Sequence, residues 1–255
     1  MNIKMLVTDL DNTLLHHDKT VSEYTLNVFR RIRERGVLLA FATARDFRFM
    51  TEYVTPITGI EPDILIADNG ALARYNGRDL YKKMIPHTTV NALMSRFDSV
   101  RCVSTESAYY HAYTNDHWSI GKKGVVVTDF AKAVENDAFY IDGNIDKSPL
   151  SLTYGYPDIR AVTYSDANLV TVVHREATKL NALVAVANAL KFEASEIAAF
   201  GDDYSDLEML SHCNYSVAVA NAIDEVKAVA KYICDTNNND GVAKWVEEFV
   251  LACLI

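Results

Sequence analysis

Asp9 and Asp11 stand one residue apart where the apolar lead-in of IKMLVTDLDNTLL, Ile3 to Leu15, gives way to polar residues. In a strand that simply continued, alternation would send both carboxylates to the same side. Two like charges so placed repel, and burying them uncompensated is costly. Such a pair therefore implies a divalent cation, a shifted proton, or both. The following Asn12, Thr13, Leu14 and Leu15 predict a sharp turn that bends both carboxylates toward one point. That would suit a nucleophile and a partner acid/base. A strand ending in a plain Asp/Asn turn is the competing reading of these residues taken alone.

Three further segments carry matching chemistry. The apolar run Val37 to Ala42 ends in Thr43, Ala44 and Arg45; Ile197 to Phe200 ends in GDDYSD, Gly201 to Asp206; and Lys179 opens an amphipathic segment after Ala177 and Thr178. Ligands of an open parallel sheet bind outside the carboxyl ends of its strands, so Asp9, Thr43 and Asp202 are expected to meet there. The pattern predicts an α/β protein with a Rossmann-like, doubly wound parallel core.

DLDNT, ATAR, Lys179 and GDDYSD, in that order, resemble the four motifs of the haloacid dehalogenase superfamily over nearly the whole chain. The insert between Thr43 and Lys179, with DNGA at Asp68 to Ala71 and DGVA at Asp240 to Ala243, resembles the Cof-like subclass IIB with its large cap. The resemblance implies that Asp9 is the nucleophile, carrying an aspartyl-phosphate, and that Asp11 is the general acid/base. Thr43 and the backbone at Ala44 would hold phosphoryl oxygens, with Lys179 and Ser205 beside them. Asp202 would bind magnesium, Asp206 being a second ligand or an orienter, and Asp9 and the Asp11 carbonyl would complete the protein ligands. Arg45, Asn69 and Asn221 form a second tier around that site.

The implied activity is magnesium-dependent hydrolysis of a small phosphorylated metabolite, a sugar phosphate foremost. A phosphosugar mutase and a phospho-aspartate signalling switch without turnover are the alternatives. Five carboxylates, Asp9, Asp11, Asp202, Asp203 and Asp206, would face a phosphate dianion with Lys179 and Arg45 opposing them, which calls for the metal. Three residues depart from the family pattern: Ala44 and Leu180 stand where Gly is usual, and Ser205 where Asn is usual. A Ser can still donate one hydrogen bond, so tuned rather than abolished activity is expected.

The chain has 255 residues, with 34 acidic against 25 Lys and Arg and a net charge of −9. That charge argues against nucleic acid and anionic membranes as partners. No apolar run approaches the ~18 residues of a membrane span, and no signal-peptide pattern opens the chain. Cys102, Cys213, Cys234 and Cys253 are scattered without metal spacing, so reduced thiols and a cytoplasmic setting are expected. A monomer or weak homo-oligomer acting on a small phosphate ester is the expected assembly.

The organisation read from patterning is a catalytic core at 1–81 and 175–255 with an α+β cap at 82–174. Ser22 should cap a helix from Glu23 to Arg35, and Asp46 a short one. Asn69-Gly70 and Asn76-Gly77 are hairpin signals flanking Ala71 to Tyr75. A helix is expected over Thr178 to Leu190 and another over Val242 to Leu251. Within the cap, Tyr109, Tyr110, His111, Tyr113, His117 and Trp118 would either stack on a sugar ring or pack among themselves.

Overall fold

The computed structural model describes residues 2–111, 125–127, 135–165 and 169–252. One sheet holds β1 (Met5–Thr8), β2 (Leu38–Ala42), β3 (Ile64–Ala67), β4 (Leu72–Tyr75), β5 (Arg78–Lys82), β12 (Ile197–Gly201), β13 (Tyr215–Val219) and β14 (Tyr232–Cys234). Its eight strands run in the order β14-β13-β12-β1-β2-β3-β4-β5. From β14 to β3 all neighbours pair parallel. Parallel strands are covered on both faces, which explains why MLVT of β1 and IAAFG of β12 are buried at every position. The chain leaves β1 toward β2 and β3 on one side, then re-enters at β12 on the other. The strand order therefore reverses at β1, where an open α/β sheet forms its ligand crevice.

β4 and β5 extend this sheet antiparallel. The turn between them has Asn76 at φ +49° and Gly77 at φ +73°, the paired left-handed conformation of a tight hairpin. The helix Glu23–Glu34 begins where expected: the Ser22 hydroxyl accepts from the Thr25 N–H at 3.1 Å, and Val28, Phe29 and Ile32 bury one face. The C-terminal helix forms over Gly241–Val246 and continues as a π-helical turn, Glu247–Leu251.

The second sheet comprises β6 (Ser99–Thr105), β7 (Tyr109–His111), β8 (Val125–Val127), β9 (Ala138–Asn144), β10 (Ile159–Thr163) and β11 (Val170–His174). Its order is β10-β11-β9-β6-β7-β8, antiparallel except for β7 with β8. Val90 and Leu93 of the helix His87–Met94 and Leu152 of Leu150–Thr153 join the apolar cluster around Val103, Ile141 and Val172. Tyr113, His117, Trp118 and Cys253 lie outside the described residues, and of His111 only the backbone is described. Cys102, Cys213 and Cys234 are free thiols. Among the described residues no helix is long and apolar enough to cross a membrane.

Candidate active site

Asp9 follows β1, and its N–H continues the parallel ladder to the Phe200 carbonyl at 3.0 Å. The neighbouring strand β12 ends at Gly201, which places Asp202 and Asp206 beside it. A Cβ at Gly201 would fall 2.5 Å from Asp206 Cγ, so only glycine lets the Asp206 carboxylate lie back over the strand end. Asp206 Oδ2 accepts the N–H groups of Asp202 at 3.1 Å and Asp203 at 3.2 Å. Oxygens of Asp9, Asp202 and Asp206 all lie within 4.8 Å of one another, and all three residues are buried.

Lys179 is the first residue of the helix Lys179–Leu190, whose Thr178 cap accepts the Asn181 N–H at 2.9 Å. A cation at a helix N-terminus opposes the macrodipole. Here it is held by two carboxylates: Nζ donates to Asp9 Oδ1 at 2.6 Å and to Asp206 Oδ1 at 2.7 Å, and the residue is 2% exposed. Three buried carboxylates thus face one buried ammonium. Burial pushes Asp9 up to about 7, with Lys179 opposing and Asp206 and Asp11 adding to the rise. Asp202 is pushed up to about 9 by burial, then by the charges of Asp9 and Asp206, despite the Thr13 hydroxyl donating at 2.5 Å. Lys179 is itself raised, its two carboxylates outweighing the burial that would neutralise it. One ammonium cannot serve all three acids.

Asp11 does not join this cluster, contrary to the expectation from strand alternation. β1 ends at Thr8 and Asn12 adopts φ +58°, so the alternation no longer applies at Asp11. Its carboxylate accepts from Arg45 Nε at 2.5 Å, Arg45 Nη2 at 2.6 Å and Lys19 Nζ at 2.9 Å. Partial burial would raise Asp11, but Arg45 and then Lys19 outweigh it and hold it at about 2. The five-acid cluster is therefore three acids, and the opposing cations include Lys19, which no motif marked. Asp203 belongs to the helix start: its side chain accepts the Tyr204 N–H at 2.8 Å.

The loop after β2 is knitted to the turn after β3. Thr43 Oγ1 accepts the Arg45 N–H at 3.1 Å, Asn69 N–H donates to the Thr43 carbonyl at 3.2 Å, and Asp68 N–H donates to the Arg45 carbonyl at 2.8 Å. Asn221 donates to the Asn12 carbonyl at 2.7 Å and accepts the Asn237 N–H at 3.0 Å, pinning the loop that carries Asp11. Ser205 is half-buried in the turn Tyr204–Asp206.

A cavity of about 280 Å³ opens between Asp11, Ala44 and Arg45 on one side and second-sheet residues including Arg101, Tyr109, Tyr140 and Asp142 on the other. Asn69 also lines it and donates to the Tyr164 hydroxyl at 3.0 Å. Of the aromatic cluster marked in the sequence, Tyr109 reaches the cavity while Tyr110 packs into the apolar cluster of the second sheet. Tyr140, Asp142, Tyr164 and Thr171 went unnoticed in the sequence, because single polar residues in apolar strands carry no motif.

Residues 6–154 and 151–246 match the family of haloacid dehalogenase-like hydrolases. The chain belongs to that family. A Bacillus subtilis protein named 5-amino-6-(5-phospho-D-ribitylamino)uracil phosphatase is 26% identical over 265 residues, covering 96% of this chain and 97% of its own. A solved haloacid dehalogenase-like hydrolase of Bacillus subtilis has a TM-score of 0.83 at 23% identity, covering 97% of this chain and all of its own. A solved subclass IIB sugar phosphatase has a TM-score of 0.78 at 20% identity, covering 96% of this chain and 98% of its own. The Cof-like family and the fold class expected from the motifs agree with these likenesses. The chain is thus a hydrolase by family, and phosphatase is the activity in the relatives' names.

Proposed function

We propose that this hydrolase is a magnesium-dependent phosphomonoesterase that acts on a small phosphorylated metabolite, a sugar phosphate foremost, through an aspartyl-phosphate at Asp9. One observation carries the reading. With all three ionised, Asp9, Asp202 and Asp206 against Lys179 leave two negative charges in a buried site, the charge that one divalent cation cancels in place of the protons that burial otherwise retains. All-oxygen donors of this kind suit Mg²⁺. Those three carboxylates and the Asp11 carbonyl would hold the ion, which when bound neutralises phosphoryl charge.

Lys179 fixes Asp9 Oδ1 and orients the carboxylate for attack on phosphorus, breaking the bond to the alcohol oxygen. Thr43, the Ala44 backbone, Ser205 and Lys179 take up the charge on the phosphoryl oxygens. Asp11 passes a proton to the departing oxygen and later takes one from the water that hydrolyses the acyl phosphate. Paired with Arg45 and Lys19, Asp11 stands in the charged form that the water step needs. For the first step Asp11 takes up a proton from solvent as Arg45 gives way to the leaving-group oxygen, and the proton then goes to that oxygen. Residues 1–81 and 175–255 supply this chemistry, and 82–174 selects the leaving group. The reduced thiols fit a cytoplasmic setting.

The test is inorganic phosphate release from phosphorylated sugars, nucleotides and cofactors, with Mg²⁺ or EDTA, against Asp9→Asn. Release that requires Mg²⁺ and disappears in the variant is expected. Isotopic transfer between sugars without net release would instead identify a mutase, and a phospho-Asp9 lasting minutes to hours would identify a switch.

A further inference from the structure

The cap wall of the cavity contains a built irregularity. In the pairing of β6 with β9, Val100 faces Gly143 and Cys102 faces Asp142, so Arg101 is an extra residue on β6. Strict alternation would turn Arg101 away from the face that carries Cys102. The bulge instead brings Arg101, Cys102 and Asp142 to the same cavity. Gly143 accommodates the distortion: a Cβ there would fall 2.2 Å from the Ser99 carbonyl oxygen.

Arg101 donates to Asp142 from Nη2 at 2.9 Å and from Nε at 3.4 Å. The two ends of this pair are unequal. The Asp142 side chain is 4% exposed, whereas that of Arg101 is 41% exposed. A surface ion pair contributes little to stability, and a buried carboxylate is costly to place. A bulge that aims both groups into the cavity opposite Asp11 and Arg45 is better explained by a ligand.

We propose, building on the phosphatase reading, that Arg101 and Asp142 determine specificity by reading adjacent hydroxyls of the leaving alcohol. Asp142 accepts from hydroxyls and Arg101 donates to them, which matches a polyol. The pair carries no net charge, so it selects a neutral hydroxylated leaving group over one bearing a second phosphate. At about 280 Å³ the cavity lies just below the roughly 300–1,000 Å³ usual for small-molecule sites, which favours a single sugar-sized group.

The experiment compares kcat/KM for D-ribose 5-phosphate, p-nitrophenyl phosphate, D-fructose 6-phosphate and D-fructose 1,6-bisphosphate in wild type, Asp142→Asn and Arg101→Met, all with Mg²⁺. Wild type should prefer ribose 5-phosphate to the aryl ester. Asp142→Asn should cut that preference on the order of 10–100-fold, the range of a lost hydrogen bond to a charged group. It should also raise the bisphosphate relative to the monophosphate, because Arg101 loses its counter-charge. Arg101→Met should cut the first ratio without raising the second. A merely structural role would lower all substrates together, and that result, or a wild type with no preference, overturns the proposal. Failure of wild type to hydrolyse any ester, the aryl ester included, overturns the phosphatase reading and this proposal with it.

Discussion

The ends of β1 and β12 and the second-sheet wall of the cavity both contain buried acids beside a cation, yet they are balanced in opposite ways. At the strand ends Asp9, Asp202 and Asp206 outnumber Lys179, whereas in the second sheet Arg101 matches Asp142 one to one. The excess charge calls for a recruited cation, a bound proton, or both. The matched pair suits a surface that sorts uncharged hydroxyl groups. The two clusters thus differ in charge balance as well as in position.

Asp11→Asn should break the reaction centre most severely among variants that leave its acid cluster intact, lowering kcat by roughly 10²–10⁴. Steady-state phosphate release measures it, and an equal loss of binding without loss of kcat would assign Asp11 to substrate positioning alone. Lys179→Met should cost stability as well as activity. It leaves two buried carboxylates without their cation, an effect of about 3–5 kcal/mol, read by denaturant unfolding in EDTA. Added Mg²⁺ should recover part of that loss, since it supplies charge to the same acids.

Mg²⁺ sharpens the comparison from the other side. At a hundred times its dissociation constant it should stabilise wild type by about 2.7 kcal/mol, and Asp202→Asn should lose most of that gain. A thermal shift that survives in Asp202→Asn would place the ion elsewhere.

The smallest effect lies where the second sheet meets the loops after β2 and β3. Ser104 Oγ stands 2.6 Å from Asp46 Oδ2 and 2.8 Å from Asp68 Oδ1, and one hydroxyl donates only once. The second contact requires a proton on a carboxyl. Burial, followed by the charge of Asp46, raises Asp68 well above its ordinary 3.8. A raised acid is fully stabilising below its unfolded value, and this contribution is lost as pH climbs from about 4 through the raised value. Asp68→Asn keeps a donor for Ser104 and suits the left-handed φ of +54° at this position. The variant should lose that decline and be the more stable of the two proteins at pH 8. Parallel melting curves across pH for both proteins would remove Asp68 as the titrating group.

Much of the acid cluster around Lys179 was legible in the sequence because its parts are local. Each acid sits next to an apolar run whose strand character is clear, and Ser22 and the Asn-Gly pairs announce a helix start and two hairpin turns. The expectation failed at Asp11, where the left-handed Asn12 ends the alternation that would have turned it toward Asp9. Lys19 escaped notice for the same reason, since its partner is set by loop geometry. The cap wall was illegible in a different way. Arg101 faces the cavity only because of a bulge, and a bulge depends on the partner strand some forty residues away.

The most direct test is to mix Asp11→Asn protein, loaded with Mg²⁺, with a hydrolysable phosphate ester identified in wild type, then quench in acid and map the phosphoryl group by peptide mass. Slowed hydrolysis should leave a phosphoryl group on the peptide that contains Asp9. Phosphate release with no phosphoryl-enzyme, in both this variant and wild type under rapid quench, or a phosphoryl group on another residue, would contradict the aspartyl-phosphate mechanism.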